Sequence, residues 1–238
     1  MDFPDNRKRL ISENLSKVKE RINSIAVGSG RDPHDITLIV ISKTRSADIV
    51  NMAIDCGIRH FGENKIQEAV PKINDLNKRH SDLTWHMVGH LQTNKAKTAV
   101  VNFDMIQSVD SIKLARKISS IAQQLQKNVD ILIEVNISGE ESKYGINPDD
   151  VEQINGEIAS LPNINVRGLM TIGPLTSDVA DIRNAFRRMR RIFKDMQDSE
   201  KDDFNILSMG MTDDYEIAIQ EGSTMIRLGR AIFGPRIY

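Results

Sequence analysis

The chain has 238 residues, of which 32 are Lys or Arg and 33 are Asp or Glu, so its formal net charge is -1. This balance argues against the basic surface that nucleic-acid binding requires, and no apolar run approaches the roughly 18 residues of a membrane span. Cys56 is the only cysteine, which excludes a disulfide framework. Since the N-terminus also lacks the apolar core of a signal peptide, we expect a cytoplasmic protein that binds neither nucleic acid nor membranes.

The first predicted elements are a helix over residues 5–28 and a buried strand over residues 36–44. The strand is rich in Ile, Val and Thr with almost no polar relief, which is typical of a parallel sheet covered on both faces. Ser46 is predicted to cap the next helix and Gly57 to end it. The first helix is amphipathic, and its predicted buried stripe contains Leu10, Leu15, Val18, Ile22 and Ile25.

Seven more strands are predicted downstream, each followed by a helix or by the beginning of one. They start near residues 58, 84, 104, 129, 165, 204 and 224. A charge-rich helix over residues 178–197 is expected to turn Phe186, Met189 and Phe193 inward. Thr212 is predicted to cap the helix that follows the seventh strand.

This alternation predicts one α/β domain over residues 1–238, built as a single (β/α)8 TIM barrel over about residues 36–236 with an added N-terminal helix. An open, doubly wound sheet is the alternative. It would need a glycine-rich phosphate turn after the first strand, and residues 41–45 contain no glycine.

Unusual polar residues gather at the carboxyl ends of the predicted strands, where this type of barrel carries its site. They are Lys43, Glu63, Asn64, His86, His90, Asn136, Ser208 and Arg227. Partial desolvation of Lys43 would favour a neutral amine that can attack a carbonyl, although this strand alone also allows a lysine that has simply reached solvent. His86 and His90 are separated by roughly 13 Å in an extended chain, too far to share one metal ion.

The ends of strands seven and eight predict a phosphate site, because the hydroxyl of Ser208 and a short helix opened by Gly229 lie there. Phosphate beside a strand-end lysine indicates a phosphorylated carbonyl compound held as a Schiff base. Pyridoxal phosphate and a phosphorylated sugar of an aldolase both fit. Arg227 shares the face of Gly229 one step deeper, where it could approach a pyridine nitrogen or pair with Glu134 inside the barrel.

From residue 36 to residue 236 the chain resembles the family of pyridoxal phosphate homeostasis proteins. The resemblance rests on motifs that occur in the same order: ISKT, FGEN followed by QE, WHMVGHLQTNK, EVNISGEESKYG, RGLM, LSMGMTDDYEIAI and EGSTMIRLGRAIFGPR. It implies the barrel of fold-type III pyridoxal phosphate proteins, similar to the N-terminal domain of alanine racemase. It also implies a protein that buffers or delivers the cofactor, with no established catalytic activity.

Carried over to this chain, the resemblance implies that Lys43 holds pyridoxal phosphate as an aldimine. Asn64 and His86 would then line the ring, and Arg227 would approach the ring nitrogen. The residues implied at the phosphate are Ser208, Gly229 and nearby amides such as that of Met209. Many relatives have threonine where this chain has Arg230, so either a backbone amide suffices to hold the phosphate there or Arg230 contributes charge.

Two enzyme classes stay open as alternatives. A racemase needs a second base opposite Lys43, and related two-domain racemases supply a tyrosine from a partner subunit beside a C-terminal β domain. This chain ends nine residues after Gly229, and Tyr144 is the one tyrosine that we expect near the strand ends. A class I aldolase is less favoured, because only Glu63 resembles an acid or base near Lys43. We therefore expect a monomeric binding protein whose partners are the cofactor and the apoenzymes that use it.

Overall fold

The structure, a computed structural model, describes residues 4–140, 142–197 and 203–235. Within these ranges eight parallel strands close into a barrel in chain order, and the eighth strand pairs with the first. The strands are β1 (Thr37–Ile41), β2 (His60–Glu63), β3 (Thr84–Met87), β4 (Met105–Val109), β5 (Val129–Val135), β6 (Ile164–Thr171), β7 (Ile206–Ser208) and β8 (Met225–Leu228). The predicted barrel class is confirmed. Glu141, Arg236 and Tyr238 lie outside the described residues.

Helices cover the outside of the barrel. They are α1 (Pro4–Gly28), α2 (Ala47–Asp55), α3 (Ile66–Leu76), α4 (Ala96–Asn102), α5 (Ile112–Gln124), α6 (Val151–Ala159), α7 (Val179–Gln197), α8 (Tyr215–Gln220) and α9 (Arg230–Phe233). The predicted added helix, α1, packs against α2, α8 and α9. Its buried stripe begins with Ile11, because a spacing of four and three residues leads from Ile11 to Leu15 and Val18; Leu10, predicted to be buried, is exposed.

The apolar residues form two cores. The larger core lies between the barrel and the helices, and Phe186, Met189 and Phe193 of α7 are buried in it as predicted. A small core of Met105, Leu132 and Met170 fills part of the barrel interior. Polar side chains take up another part of the interior, and these lie beneath the candidate site.

The loop between β7 and α8 differs from the prediction. Thr212 does not cap α8, because the helix begins at Tyr215 with Asp214 as its N-cap residue. The Asp214 carboxylate instead accepts a hydrogen bond from the Met211 amide at 2.5 Å, which folds the loop back on itself. Thr212 therefore lies outside the helix, at the mouth of the barrel.

Across the part of the chain that the structure describes, no helix combines the length and the apolar character that a membrane crossing needs.

Candidate functional site

A cavity of about 570 Å³ opens at the carboxyl ends of β1, β7 and β8. Three loops and one short helix supply its walls. The residues that matter for its chemistry are Lys43, Thr44, Thr212, Asp213, Arg227, Gly229, Arg230 and Phe233. The cavity therefore joins the strand-end lysine to the predicted phosphate region, as sequence reasoning proposed.

Strand alternation places Lys43 in this cavity. Ile39 of β1 is in register with Arg227 of β8, whose side chain lies inside the barrel. Residues two apart on a strand share a face, so Ile41 and Lys43 follow Ile39 on the inner side. The Ser42 amide donates to the Gly62 carbonyl at 3.0 Å, which continues the ladder to the residue before the lysine. Lys43 is half-buried and lines the cavity at the rim.

Arg227 forms the floor of the cavity and is 4% exposed. Its guanidinium donates to the Ser208 hydroxyl at 2.7 Å and to the Thr171 carbonyl at 2.8 Å. Burial lowers the pKa of Arg227 to about 10, while Asp214 and Glu134 act to raise it, so the guanidinium stays charged at neutral pH. Arg227 also lines the cavity. The nearby Oε2 of Glu134 has no hydrogen-bond partner among the described residues.

A chain of buried polar side chains continues from Arg227 through the barrel. The Ser208 hydroxyl donates to Gln107 Oε1 at 2.8 Å, and Gln107 Nε2 donates to His86 Nδ1 at 3.1 Å. Burial lowers the pKa of His86 to about 3, so its ring is neutral and can accept this bond. His86 and Ser208 thus support Arg227 from inside the barrel rather than lining the cavity. Sequence reasoning missed Gln107, whose signal was a polar side chain in the middle of a buried strand.

Two other predicted residues lie away from the cavity. Met209 follows the inward-facing Ser208, so its side chain points outward and is buried in the core between barrel and helices. Its amide donates to the Met225 carbonyl at 3.1 Å. Asn64 lines a separate cavity of about 470 Å³, together with His90 and Lys95.

The side of the cavity at the ends of β7 and β8 carries the groups suited to an anion. Gly229 precedes α9, and a Cβ atom there would lie 3.3 Å from the Ile41 carbonyl oxygen, so the close approach of β1 and β8 favours glycine. Arg230 forms an ion pair with Asp213 across the mouth. Thr212 adds a hydroxyl to the same wall. The sequence predicts a helix cap for Thr212, because the same short hydroxyl side chain can cap a helix or bind an anion.

Together these residues fit a planar aldehyde that carries a phosphate. Lys43 supplies a primary amine, Arg227 and Arg230 supply two cations, and Phe233 supplies an apolar wall. Among phosphorylated carbonyl compounds, an aromatic one with a ring nitrogen would use both the apolar wall and the buried guanidinium.

Comparison with known proteins agrees with this chemistry. The family described as alanine racemase, N-terminal domain, matches residues 14–236. The pyridoxal phosphate homeostasis protein of Pseudomonas aeruginosa is 39% identical over 228 residues, which cover 96% of each chain. The protein of the same name from Escherichia coli is 37% identical over 96% of this chain and 97% of its own. The chain belongs to the family of pyridoxal phosphate homeostasis proteins.

Solved structures share the fold of this chain. PipY of Synechococcus elongatus with pyridoxal phosphate bound is 34% identical, with a TM-score of 0.82 over 94% of this chain and all of that one. A Bifidobacterium adolescentis protein described as unknown gives a TM-score of 0.92 at 38% identity, covering 96% of each chain. An alanine racemase of Clostridium difficile is 14% identical with a TM-score of 0.70, and this chain covers 57% of it, which shows a shared fold alone.

Proposed function

We propose that this member of the pyridoxal phosphate homeostasis family is one domain that binds pyridoxal phosphate covalently through Lys43 and buffers or delivers it to apoenzymes, without catalytic turnover. The observation that carries the proposal is the shared cavity of Lys43, Arg227 and Arg230, which unites an amine with two cations. The related PipY protein, which binds this cofactor, supports the choice of ligand.

Each residue has a role that follows from its position. When bound, pyridoxal phosphate supplies an aldehyde that condenses reversibly with a primary amine, with loss of water, and a phosphate dianion. Lys43 is the amine in reach of the cavity. Arg227, held by Ser208 and Thr171, would hold the ring nitrogen beside a positive charge, which would disfavour its protonation. Thr212, Arg230 and the backbone at Gly229 would hold the phosphate.

The carrier function is favoured over a racemase by the position of Tyr144. A racemase needs a second base on the face of the cofactor opposite Lys43. The Tyr144 ring stacks on His90 with centroids 3.6 Å apart, and Tyr144 is 56% exposed. It does not line the Lys43 cavity. The names of the family's relatives also describe homeostasis rather than an enzyme.

Borohydride trapping tests this function. The purified protein is incubated with pyridoxal phosphate, reduced with borohydride, digested and mapped by mass spectrometry. We expect the pyridoxyl group on the peptide that contains Lys43, and we expect Lys43→Ala to lose both this adduct and the yellow colour while keeping its melting temperature within about 3 °C of the parent, because the side chain lies at a rim. Lys95→Ala, at the neighbouring cavity, is the matched control and should keep the adduct.

Four outcomes would count against the proposal. A protein that takes up no pyridoxal phosphate, or an adduct that maps elsewhere, would remove Lys43 from its role. Loss of the fold in Lys43→Ala would make the lysine structural. Interconversion of L- and D-alanine by the loaded protein, absent from Lys43→Ala, would turn the carrier into a racemase.

A further inference from the structure

A second lysine lies directly behind Lys43. Lys72 of α3 is 5% exposed in its side chain and forms an ion pair with Glu63 of β2, whose side chain is fully buried, at 2.6 Å. Moving two charges out of water is costly, and a well-packed apolar pair is often equally stable or more so. The position of this pair therefore calls for an explanation other than stability.

The buried Lys72–Glu63 pair forms hydrogen bonds with Ser42, the residue before Lys43. The Lys72 ammonium donates to the Ser42 carbonyl at 2.9 Å. The Ser42 hydroxyl donates to the same Glu63 oxygen, Oε1, at 2.6 Å. Both the backbone and the side chain of Ser42 are thus fixed from the outer side of the barrel, while Lys43 points to the inner side.

The residue after Lys43 is held by a third charge. Thr44 has a φ of 65°, a left-handed conformation that costs a β-branched residue of order 1–3 kcal/mol. Its amide donates to the Glu68 carboxylate, which lies 3.5 Å from the Lys72 ammonium. Lys72 therefore contacts Ser42 directly and Thr44 through Glu68, on either side of Lys43. These buried and half-buried charges hold the strained turn.

We propose that Lys72, with Glu63 and Glu68, is a positioning residue that holds the turn 42–44 so that the Lys43 amine stays aimed into the cavity. The inference rests on the proposed function, since it presumes that Lys43 receives the cofactor. Lys72 does not compete for that role, because its ammonium is committed to three oxygen partners and lies on the outer side of the strand. We call Lys72, Glu63 and Glu68 the clamp. Without the clamp, Thr44 relaxes to an ordinary conformation and Lys43 turns away from the cavity floor.

The test replaces the buried pair with neutral groups of similar size, in the variant Lys72→Met/Glu63→Gln. We expect covalent binding of pyridoxal phosphate, followed by absorbance and borohydride trapping on Lys43, to weaken at least tenfold. Lys127→Met is the matched control: this half-buried lysine donates to the carbonyls of Val100 and Phe103, and it precedes β5 at the opposite end of the barrel. It should lower the melting temperature by a similar amount and leave cofactor binding unchanged.

Two further variants make the result specific to positioning. Lys72→Arg keeps the charge and several donors, so it should restore binding to within about threefold of the parent. Glu68→Ala removes the partner of the Thr44 amide and the longer of the two ion pairs of Lys72, at a side chain that is 31% exposed, and it leaves the buried Lys72–Glu63 pair in place. It should therefore fold normally and weaken covalent binding two- to fivefold. This second variant decides the matter if the double variant does not fold.

The outcomes separate the two proposals. If the parent protein forms no adduct on Lys43, the proposed function fails. If the parent forms the adduct and both the double variant and Glu68→Ala bind as tightly as Lys127→Met, the clamp is wrong while the function stands. A shift of the pH midpoint of adduct formation in the double variant, absent from Lys127→Met, supports positioning of the Lys43 amine, since a purely structural defect would move both variants alike.

Discussion

At the residue scale, Arg230 is the feature that distinguishes this site. Its ion pair with Asp213 joins side chains that are 60% and 79% exposed, and exposed pairs contribute at most about 1 kcal/mol. The guanidinium can therefore exchange Asp213 for a phosphate dianion at little cost. The site therefore contains one buried and one exposed cation. Arg227 is fixed in the interior, whereas Arg230 can turn between two anionic partners.

We predict that Arg230→Ala weakens pyridoxal phosphate binding about tenfold at low ionic strength, which corresponds to about 1.4 kcal/mol. Asp213→Asn should strengthen binding two- to threefold, because the competing carboxylate is gone. Both effects should shrink as salt is added, since the groups are exposed. Equilibrium titration followed by absorbance measures them.

The matched control is Arg116→Ala, which removes an exposed arginine from its pair with Glu157 on the outer helices. It should leave cofactor affinity unchanged. Equal affinities for the parent and Arg230→Ala would show that backbone amides and Thr212 hold the phosphate without help from this side chain.

The sequence predicted the residues on the inner face of the barrel better than those in the loops and on the outer face. Lys43, Arg227 and Gly229 line one cavity because strand ends and the two-residue period can be read from apolar runs. The predicted helix cap of Thr212 is wrong, because the path of a loop depends on tertiary contacts such as that of Asp214 with the Met211 amide. The Lys72 pair was also missed, because it joins residues nine apart across two elements.

At the element scale, β6 contains an irregularity that composition does not reveal. The β5–β6 register shifts after Ile131, and Leu132 pairs with Gly168, which has a φ of 146°. A Cβ atom on Gly168 would lie 1.9 Å from the Ile206 carbonyl oxygen of β7. Only glycine therefore allows β7 to approach β6 closely enough to bring Ser208 beneath Arg227.

We predict that Gly168→Ala lowers the free energy of unfolding by about 3 kcal/mol or more, because it combines a forbidden backbone conformation with a backbone clash. Gly156→Ala is the control: this exposed glycine lies within α6 with nothing within 4 Å of the added Cβ atom, so we expect a gain of about 0.5–1 kcal/mol. Urea denaturation of the two variants compares the positions directly. A similar stability for both would mean that β6 and β7 can separate without loss.

At the scale of the whole molecule, the barrel interior should make stability depend on pH. Glu134 is 5% exposed, and burial, with the nearby charge of Asp110, raises its pKa to about 7 despite the opposing charge of Arg227. The unfolded chain should titrate near the ordinary value of about 4.3. Between these two values the folded protein binds more protons than the unfolded chain, so the contribution of Glu134 to stability falls as pH rises from about 4.3 to about 7. His86, whose pKa is lowered, contributes in the opposite direction and loses stability as pH falls below about 6.5.

Glu134→Gln isolates the first of these effects, because His86 and the other buried groups are common to the variant and the parent. A glutamine stays neutral at every pH, so the variant avoids the cost of a buried negative charge. We expect its stability relative to the parent to rise from pH 5 to about pH 7 and to level off by pH 8, with roughly 3.7 kcal/mol as the upper limit set by the difference in pKa. Urea denaturation of both cofactor-free proteins at pH 5, 6, 7 and 8 and constant ionic strength measures the trend. A difference that does not change with pH would mean that Arg227 stabilises the charged carboxylate enough to cancel the effect of burial.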